Sequence, residues 1–172
     1  LFFTPVHGPA TELSFSSSIN FSASFPNSIS EPVRVSFGAA AVNFTLLGSS
    51  HSKAEYFQGG ALYRNVLAET DLRYYFYGGG VKEELVLNGP NAPRLFSFSS
   101  KHDGLSVRLE PDGSMAFLSG LGRIAFTVPR PFVLDGQGRF LQHLDYEISS
   151  EDNQTLVLVR LPEELFHNAV YP

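Results

Sequence analysis

The chain has 172 residues, of which 43% are hydrophobic and 17% charged, and it carries a net charge of −5 and no cysteine. This length suits one domain with a sizeable core, and the lack of cysteine excludes a disulfide framework, a cysteine-based zinc site and a thiol nucleophile. The negative charge argues against a nucleic-acid partner, because such partners bind clustered Lys and Arg. No segment approaches the roughly 20 apolar residues of a membrane helix, so no membrane insertion is expected.

Period-two alternation begins early in the chain. Over residues 13–25, apolar residues alternate with Ser and Asn, which predicts one half-buried strand that ends at Pro26. Residues 33–37 and 41–47 repeat the pattern and predict two more strands. The sixteen Phe residues point to a core of rings, which suits pleated sheets.

The strongest pattern covers residues 61–87. Two alternating segments flank Gly78-Gly79-Gly80, which predicts a β-hairpin whose turn uses the positive φ angles that glycine tolerates. In the first of these segments, Tyr75 and Tyr77 fall on the face opposite Leu72, Tyr74 and Phe76.

Short strand patterns continue beyond residue 87 with turn signals every eight to twelve residues, and Pro162 followed by two acids is the one helical start. The sequence therefore predicts an all-β fold, an antiparallel two-sheet β-sandwich with one short C-terminal helix. Residues 1–172 are expected to form a single domain, in which residues 1–31 provide a lead-in strand and residues 32–172 the main module.

Four segments of that module occur in order: VRVSFGAAAVNFTLLGSS, YRNVLAETDLRYYFYGGGVKEELVL, PRPFVLDGQGR and LPEELFHNAVYP. Together they resemble a β-rich module of large secreted bacterial proteins of the wall-associated, Rhs (YD-repeat) and DNRLRE-domain types. The resemblance implies an extracellular or cell-surface location. It implies no catalytic residues.

On this basis we expect a non-catalytic structural or interaction module that spaces or docks neighbouring modules or other subunits. A carbohydrate-binding module for cell-wall or extracellular polysaccharide is the alternative. For that alternative Tyr63, Tyr75 and Tyr77 are the candidate binding residues, because a row of exposed rings can stack on sugars.

A glycan hydrolase is the remaining alternative, since such enzymes need two carboxylates at a set separation. The candidate acids lie near predicted strand ends: Asp71, Glu83, Glu84, Asp145 and Glu147. The five histidines are scattered without metal-ligand spacing, so they are interpreted as surface or hydrogen-bonded structural residues. No catalytic residue is assigned, and the protein is not expected to be an enzyme.

No cofactor is expected, with calcium as the candidate ion. Asp103, Asp112 and Asp135 each stand before a glycine in a predicted loop and offer oxygen ligands. None of these loops matches the twelve-residue acidic calcium loop, and a plain turn explains all three.

Overall fold

The described part of the chain folds into antiparallel strands with one short helix. In this computed structural model the described residues are 4–6, 12–16, 21–77, 79–167 and 169–172, with backbone alone for 4–6, 12–16 and His167. The elements are β1 Thr4–Val6, β2 Glu12–Ser16, β3 Phe21–Pro26, β4 Val33–Phe37, β5 Ala40–Leu46, β6 Ala54–Phe57, β7 Gly60–Leu67, β8 Thr70–Tyr77, β9 Gly80–Leu87, β10 Leu95–His102, β11 Leu105–Leu109, β12 Met115–Ser119, β13 Ile124–Val128, β14 Phe132–Leu134, β15 Phe140–His143, β16 Tyr146–Glu151, β17 Gln154–Arg160 and α1 Glu164–His167.

The largest sheet has eight strands in the order β1-β2-β3-β4-β5-β10-β17-β16. Within it, β10 pairs with β5 through Phe98 opposite Leu46 and with β17 through Phe98 opposite Val157. Apolar residues alternate along β5 and β10, and Val157 of β17 is buried on the same side as Phe98, so one face of the sheet is apolar and must be covered.

A second sheet of four strands, β6-β7-β8-β9, forms a meander in sequence order. Its longest pairing runs from Thr70 opposite Leu87 to Tyr77 opposite Gly80. The triple-glycine turn is therefore shorter than predicted, since Gly80 already belongs to β9. Gly79 has a φ of +86°, which the turn requires and glycine adopts at little cost, while Gly78 lies outside the described residues.

Rings join the sheets into one core. At one end Phe25 of β3 stacks on Tyr74 of β8, with ring centroids 5.8 Å apart. Elsewhere Phe44 of β5 meets Phe117 of β12 edge-on at 6.0 Å, so the three-stranded sheet β11-β12-β13 covers another part of the large sheet. The all-β prediction, an antiparallel sandwich with one short C-terminal helix, is confirmed.

The prediction of a single strand over residues 13–25 is wrong. The backbone forms two antiparallel strands, β2 and β3, which place Leu13 opposite Phe25 and Phe15 opposite Ala23. A hairpin can preserve the apolar parity of its two arms, so alternation alone does not reveal the reversal. Residues 17–20, which connect the arms, and residues 1–3 and 7–11 of the predicted lead-in lie outside the described residues.

Within the described part of the chain, no helix is long and apolar enough to cross a membrane.

Candidate functional site

The outward face of the β8–β9 hairpin brings two cross-strand pairs together. Tyr75 lies opposite Lys82, and Arg73 lies opposite Glu84. Glu84 is the shared acceptor: Tyr75 donates its hydroxyl at 2.5 Å, Lys82 Nζ lies 3.0 Å from Oε1, and Arg73 Nη1 lies 3.4 Å from Oε2. This contact group therefore holds two cations against one carboxylate.

These contacts move the pKa values of the group. Burial alone would raise the pKa of Glu84, but the Tyr75 hydrogen bond and the cations Lys82 and Arg73 outweigh it and lower that pKa. The hydrogen bond to Glu84 also raises the pKa of Lys82, so both groups stay charged at neutral pH. Desolvation raises the pKa of Tyr75, whose hydrogen bond to Glu84 adds to the effect.

Three aromatic rings surround the Lys82 ammonium. Its Nζ lies 5.7 Å from the ring centroid of Tyr75 and 5.8 Å from those of Tyr77 and Phe132. Cation–π contacts of this length contribute about 0.5–1 kcal/mol each at exposed sites. We refer to Tyr75, Tyr77, Lys82 and Phe132 as the aromatic–lysine patch.

The patch continues onto the β14–β15 hairpin. The Phe132 ring lies 6.4 Å from the rings of both Phe140 and His143, and the last two are 5.0 Å apart. Large apolar rings remain open to solvent here, with 72% of Tyr77, 45% of Phe132 and 55% of Phe140 exposed. Such a concentration of exposed rings marks an interaction surface.

The structure places Tyr63 away from this surface. Tyr63 is fully buried on the core side of β7, where its hydroxyl donates to the Pro26 carbonyl at 2.6 Å. The expectation of a row formed by Tyr63, Tyr75 and Tyr77 is therefore wrong for Tyr63. Directly paired residues of neighbouring strands lie on the same face of a sheet. Tyr63 lies opposite the core residue Leu72 and therefore faces the core, whereas Tyr75 lies opposite Gly60 on the other face.

The five candidate acids do not converge in pairs. Glu83 and Glu84 are adjacent but project to opposite faces of β9, and Asp71 is buried and accepts from the Asn65 amide at 2.7 Å. Asp145 pairs with Arg130 at 2.6 Å, and Glu147 lies 3.8 Å from Arg160. Each acid except Glu83 is thus held by a cation or a backbone amide.

The candidate calcium residues lie in three separate turns. Asp112 accepts from the amide and hydroxyl of Ser114, at 2.9 and 2.6 Å. Asp135 accepts from the amides of Gln137 and Arg139, both at 2.9 Å. Asp103 is exposed. Within the described ranges, no three His, Asp or Glu residues cluster closely enough to hold a metal ion, and calcium binding stays a prediction.

The histidines separate into different roles. His102 is buried, and its Nε2 lies 3.1 Å from Thr155 Oγ1, as expected of a hydrogen-bonded structural histidine. His143 lies beside the aromatic–lysine patch. His7 and the side chain of His167 lie outside the described residues.

The candidates from the sequence include Tyr75 and Tyr77 but not Lys82 and Phe132, the other two residues of the patch. Lys82 could have been found from the hairpin register, because it lies opposite Tyr75 once the position of the glycine turn is known. Phe132 and Phe140 come from a hairpin about 50 residues further along the chain, and no local pattern connects them with Tyr75. Their approach is a long-range contact that only the folded chain shows.

Comparison with known proteins identifies relatives. The chain is 31% identical over 102 residues to the tRNA nuclease WapA of Bacillus subtilis strain 168 and 30% identical over 127 residues to the tRNA(Glu)-specific nuclease WapA of B. subtilis subsp. natto. It is also 30% identical over 102 residues to the tRNA3(Ser)-specific nuclease WapA of Bacillus spizizenii. These matches cover 59%, 73% and 59% of this chain. The chain spans only 4–5% of the length of these relatives. No protein-family model and no solved structure matches it.

These names correct four predictions from the sequence. The resemblance to Rhs and DNRLRE-domain proteins is wrong, because the relatives found are WapA nucleases. The relatives are named as nucleases, and this overturns the expectation that the chain comes from a purely structural or carbohydrate-binding protein with no enzyme activity. The exclusion of nucleic acid is wrong for the same reason. The chain is similar, over part of its length, to tRNA nucleases of the WapA type.

Proposed function

We propose that this chain is a domain of a larger tRNA-nuclease protein and that its aromatic–lysine patch binds RNA without selecting among tRNAs. The observation that carries the proposal is the position of Lys82, whose ammonium lies within 6 Å of three rings on an exposed sheet face. Rings that stack on bases and cations that contact phosphates are the two parts of a sequence-tolerant nucleic-acid surface.

The pattern of similarity supports the lack of tRNA selection. The chain is 30% identical to a relative named for tRNA(Glu) and 30% identical to one named for tRNA3(Ser). A segment that is equally similar to proteins with different named substrates is a poor candidate for the part that distinguishes them. It remains a good candidate for contacts that all tRNAs share.

The charge balance supports a weak, local contact. The chain as a whole carries −5, which repels RNA at long range, while the contact group of Arg73, Lys82 and Glu84 has one excess positive charge. Asp71, on the same face of β8, lies 3.7 Å from Arg64 and is compensated by it. With so few phosphate contacts, most of the affinity must come from stacking, at about 1–3 kcal/mol per base. Within a large protein that already holds RNA, such a contact acts at high effective concentration.

Location outside the cell or at its surface is part of the same proposal. Its support is the similarity to WapA proteins. Fractionation of cells that produce the whole protein, with detection by an antibody against this chain, tests it. Recovery in the cytosol alone would overturn it.

Binding of unfractionated tRNA to the purified 172-residue chain tests the main proposal. At low salt we expect weak binding that falls at least fivefold when Lys82→Ala and Arg73→Ala are combined. Lys53→Ala combined with Lys101→Ala removes two exposed cations away from the patch and should leave binding unchanged. Equal loss in both double variants, or no binding by the unaltered chain, would contradict the proposal.

A further inference from the structure

We infer that the aromatic–lysine patch takes unpaired nucleotides of RNA and not its double-stranded stems. The inference rests on the proposed function, and it names the form of RNA that the same surface accepts. It depends on the kind of groups that the patch exposes, on their arrangement and on the local charge.

The exposed groups are aromatic rings, and on RNA the partner for a ring is an unstacked base. In an A-form stem both faces of every base are covered by neighbouring bases, and the major groove is too narrow and deep for side chains to enter. Tyr77, with 72% of its surface exposed, and Phe140, with 55%, project from hairpins on an open face and cannot reach those covered surfaces. Bases in loops, bulges or ends offer a free face for them.

The arrangement suits a short single strand. Lys82 Nζ is nearly equidistant from the rings of Tyr75, Tyr77 and Phe132, at 5.7–5.8 Å. A phosphate paired with Lys82 would bring the nucleotides on its two sides towards different rings. Phe140 and His143 extend the ring series from Phe132, so the platform continues in one direction beyond the central lysine.

The charge also favours a single strand. A duplex carries about one charge per 1.7 Å of its axis, whereas a single strand carries about one per 3.4 Å. The cations at and beside the patch are Lys82 and Arg73, and Glu84 already accepts from both. One excess cation in a chain of net charge −5 cannot offset the denser phosphate array of a stem.

Three RNA probes separate the possibilities: a labelled twelve-nucleotide single strand, the same strand annealed to its complement, and unfractionated tRNA. Fluorescence anisotropy at fixed low salt should show binding of the single strand at least tenfold tighter than that of the duplex. Tyr77→Ala should weaken binding of the single strand about tenfold, and Tyr77→Phe, which keeps the ring, should restore most of it.

Phe132→Ala and Phe37→Ala form the matched pair of controls, because both side chains are 45% exposed and only Phe132 belongs to the patch. We expect Phe132→Ala to weaken binding and Phe37→Ala to have no effect, with circular dichroism confirming that each variant is folded. Equal or tighter binding of the duplex, or unchanged binding in Tyr77→Ala, would overturn the inference while leaving RNA binding in place. Failure to bind any of the three probes would instead overturn the proposed function.

Discussion

Tyr74 donates its hydroxyl to Glu83 Oε2 at 2.5 Å, across the β8–β9 pair and on the side of the hairpin that faces the core. Glu83 has the parity of Val81 and Leu85, so an acid occupies a position where the strand pattern calls for an apolar residue. Burial raises the pKa of Glu83 to about 7, although the Tyr74 bond opposes the shift. The residue as a whole is nevertheless exposed to solvent, which places its carboxylate at the margin of the core.

This position makes stability depend on pH. The pKa of Glu83 is raised in the folded state from 4.5 to about 7, so its stabilising contribution is complete below pH 4.5 and is lost as the pH rises through 7. Glu83→Gln keeps an oxygen acceptor for Tyr74 and cannot ionise. We therefore expect the variant to be more stable than the unaltered chain above pH 7 and less dependent on pH between 4.5 and 7.

The gain should be about 1 kcal/mol, below the roughly 3 kcal/mol that a shift of this size represents in a dry site, because water reaches part of Glu83. Urea unfolding at pH 5 and pH 8 measures it. Glu151→Gln, at an exposed acid on β16, controls for the change in net charge. A variant that is no more stable than the unaltered chain at pH 8 would show that the carboxylate is fully hydrated.

The buried hydroxyl of Tyr63 gives a second prediction. Tyr63→Phe leaves the ring in the core but removes the 2.6 Å bond to the Pro26 carbonyl, which then lacks this donor. Loss of a buried hydrogen bond of this kind costs about 1–2 kcal/mol. Tyr77→Phe is the matched control, because the Tyr77 side chain is exposed and its hydroxyl removal should change the free energy of unfolding by less than 0.5 kcal/mol. Equal effects in the two variants would argue against the bond.

Asp71 shows how a candidate catalytic acid acts as a structural residue. Its carboxylate accepts the Asn65 amide at 2.7 Å, at a point where β7 is irregular and Asn65 has a φ of +50°. Asp71→Ala should therefore cost about 1–3 kcal/mol, the penalty for a backbone donor left without its partner. Chemical denaturation measures the loss, and Asp71→Asn, which retains an oxygen acceptor, should recover most of it. Full stability in Asp71→Ala would mean that Asn65 does not depend on this acceptor.

The sequence predicts where the strands lie better than it predicts how they pair and which side chains they bring together. Alternation and turn residues identify the β8–β9 hairpin, because side-chain parity is a local property of an extended chain. Parity also distinguishes Tyr75 from Tyr74, but it did not prevent Tyr63 from being assigned to the outer face, since the register between β7 and β8 decides that side. The approach of Phe132 to Lys82 depends on how separate sheets pack, and nothing in either segment encodes it alone.

The C-terminal residues provide the last prediction. Gly136, in the turn between β14 and β15, donates its amide to the Val170 carbonyl at 2.7 Å, and a Cβ added at Gly136 would lie 2.6 Å from that oxygen and 2.7 Å from the Tyr171 backbone. These neighbours are backbone atoms, so they must move as a unit. Gly136→Ala should displace the segment around Val170 and Tyr171 and cost about 1–3 kcal/mol, as overpacking does elsewhere.

Hydrogen exchange followed by mass spectrometry reports this displacement directly, as faster exchange of the Gly136 turn and of the C-terminal peptide. Gly120→Ala is the control, because a Cβ there meets nothing within 4 Å. We expect it to leave both exchange and stability close to those of the unaltered chain. Protection of the C-terminal peptide in Gly136→Ala equal to that in Gly120→Ala would show that the segment does not lie against the turn in solution.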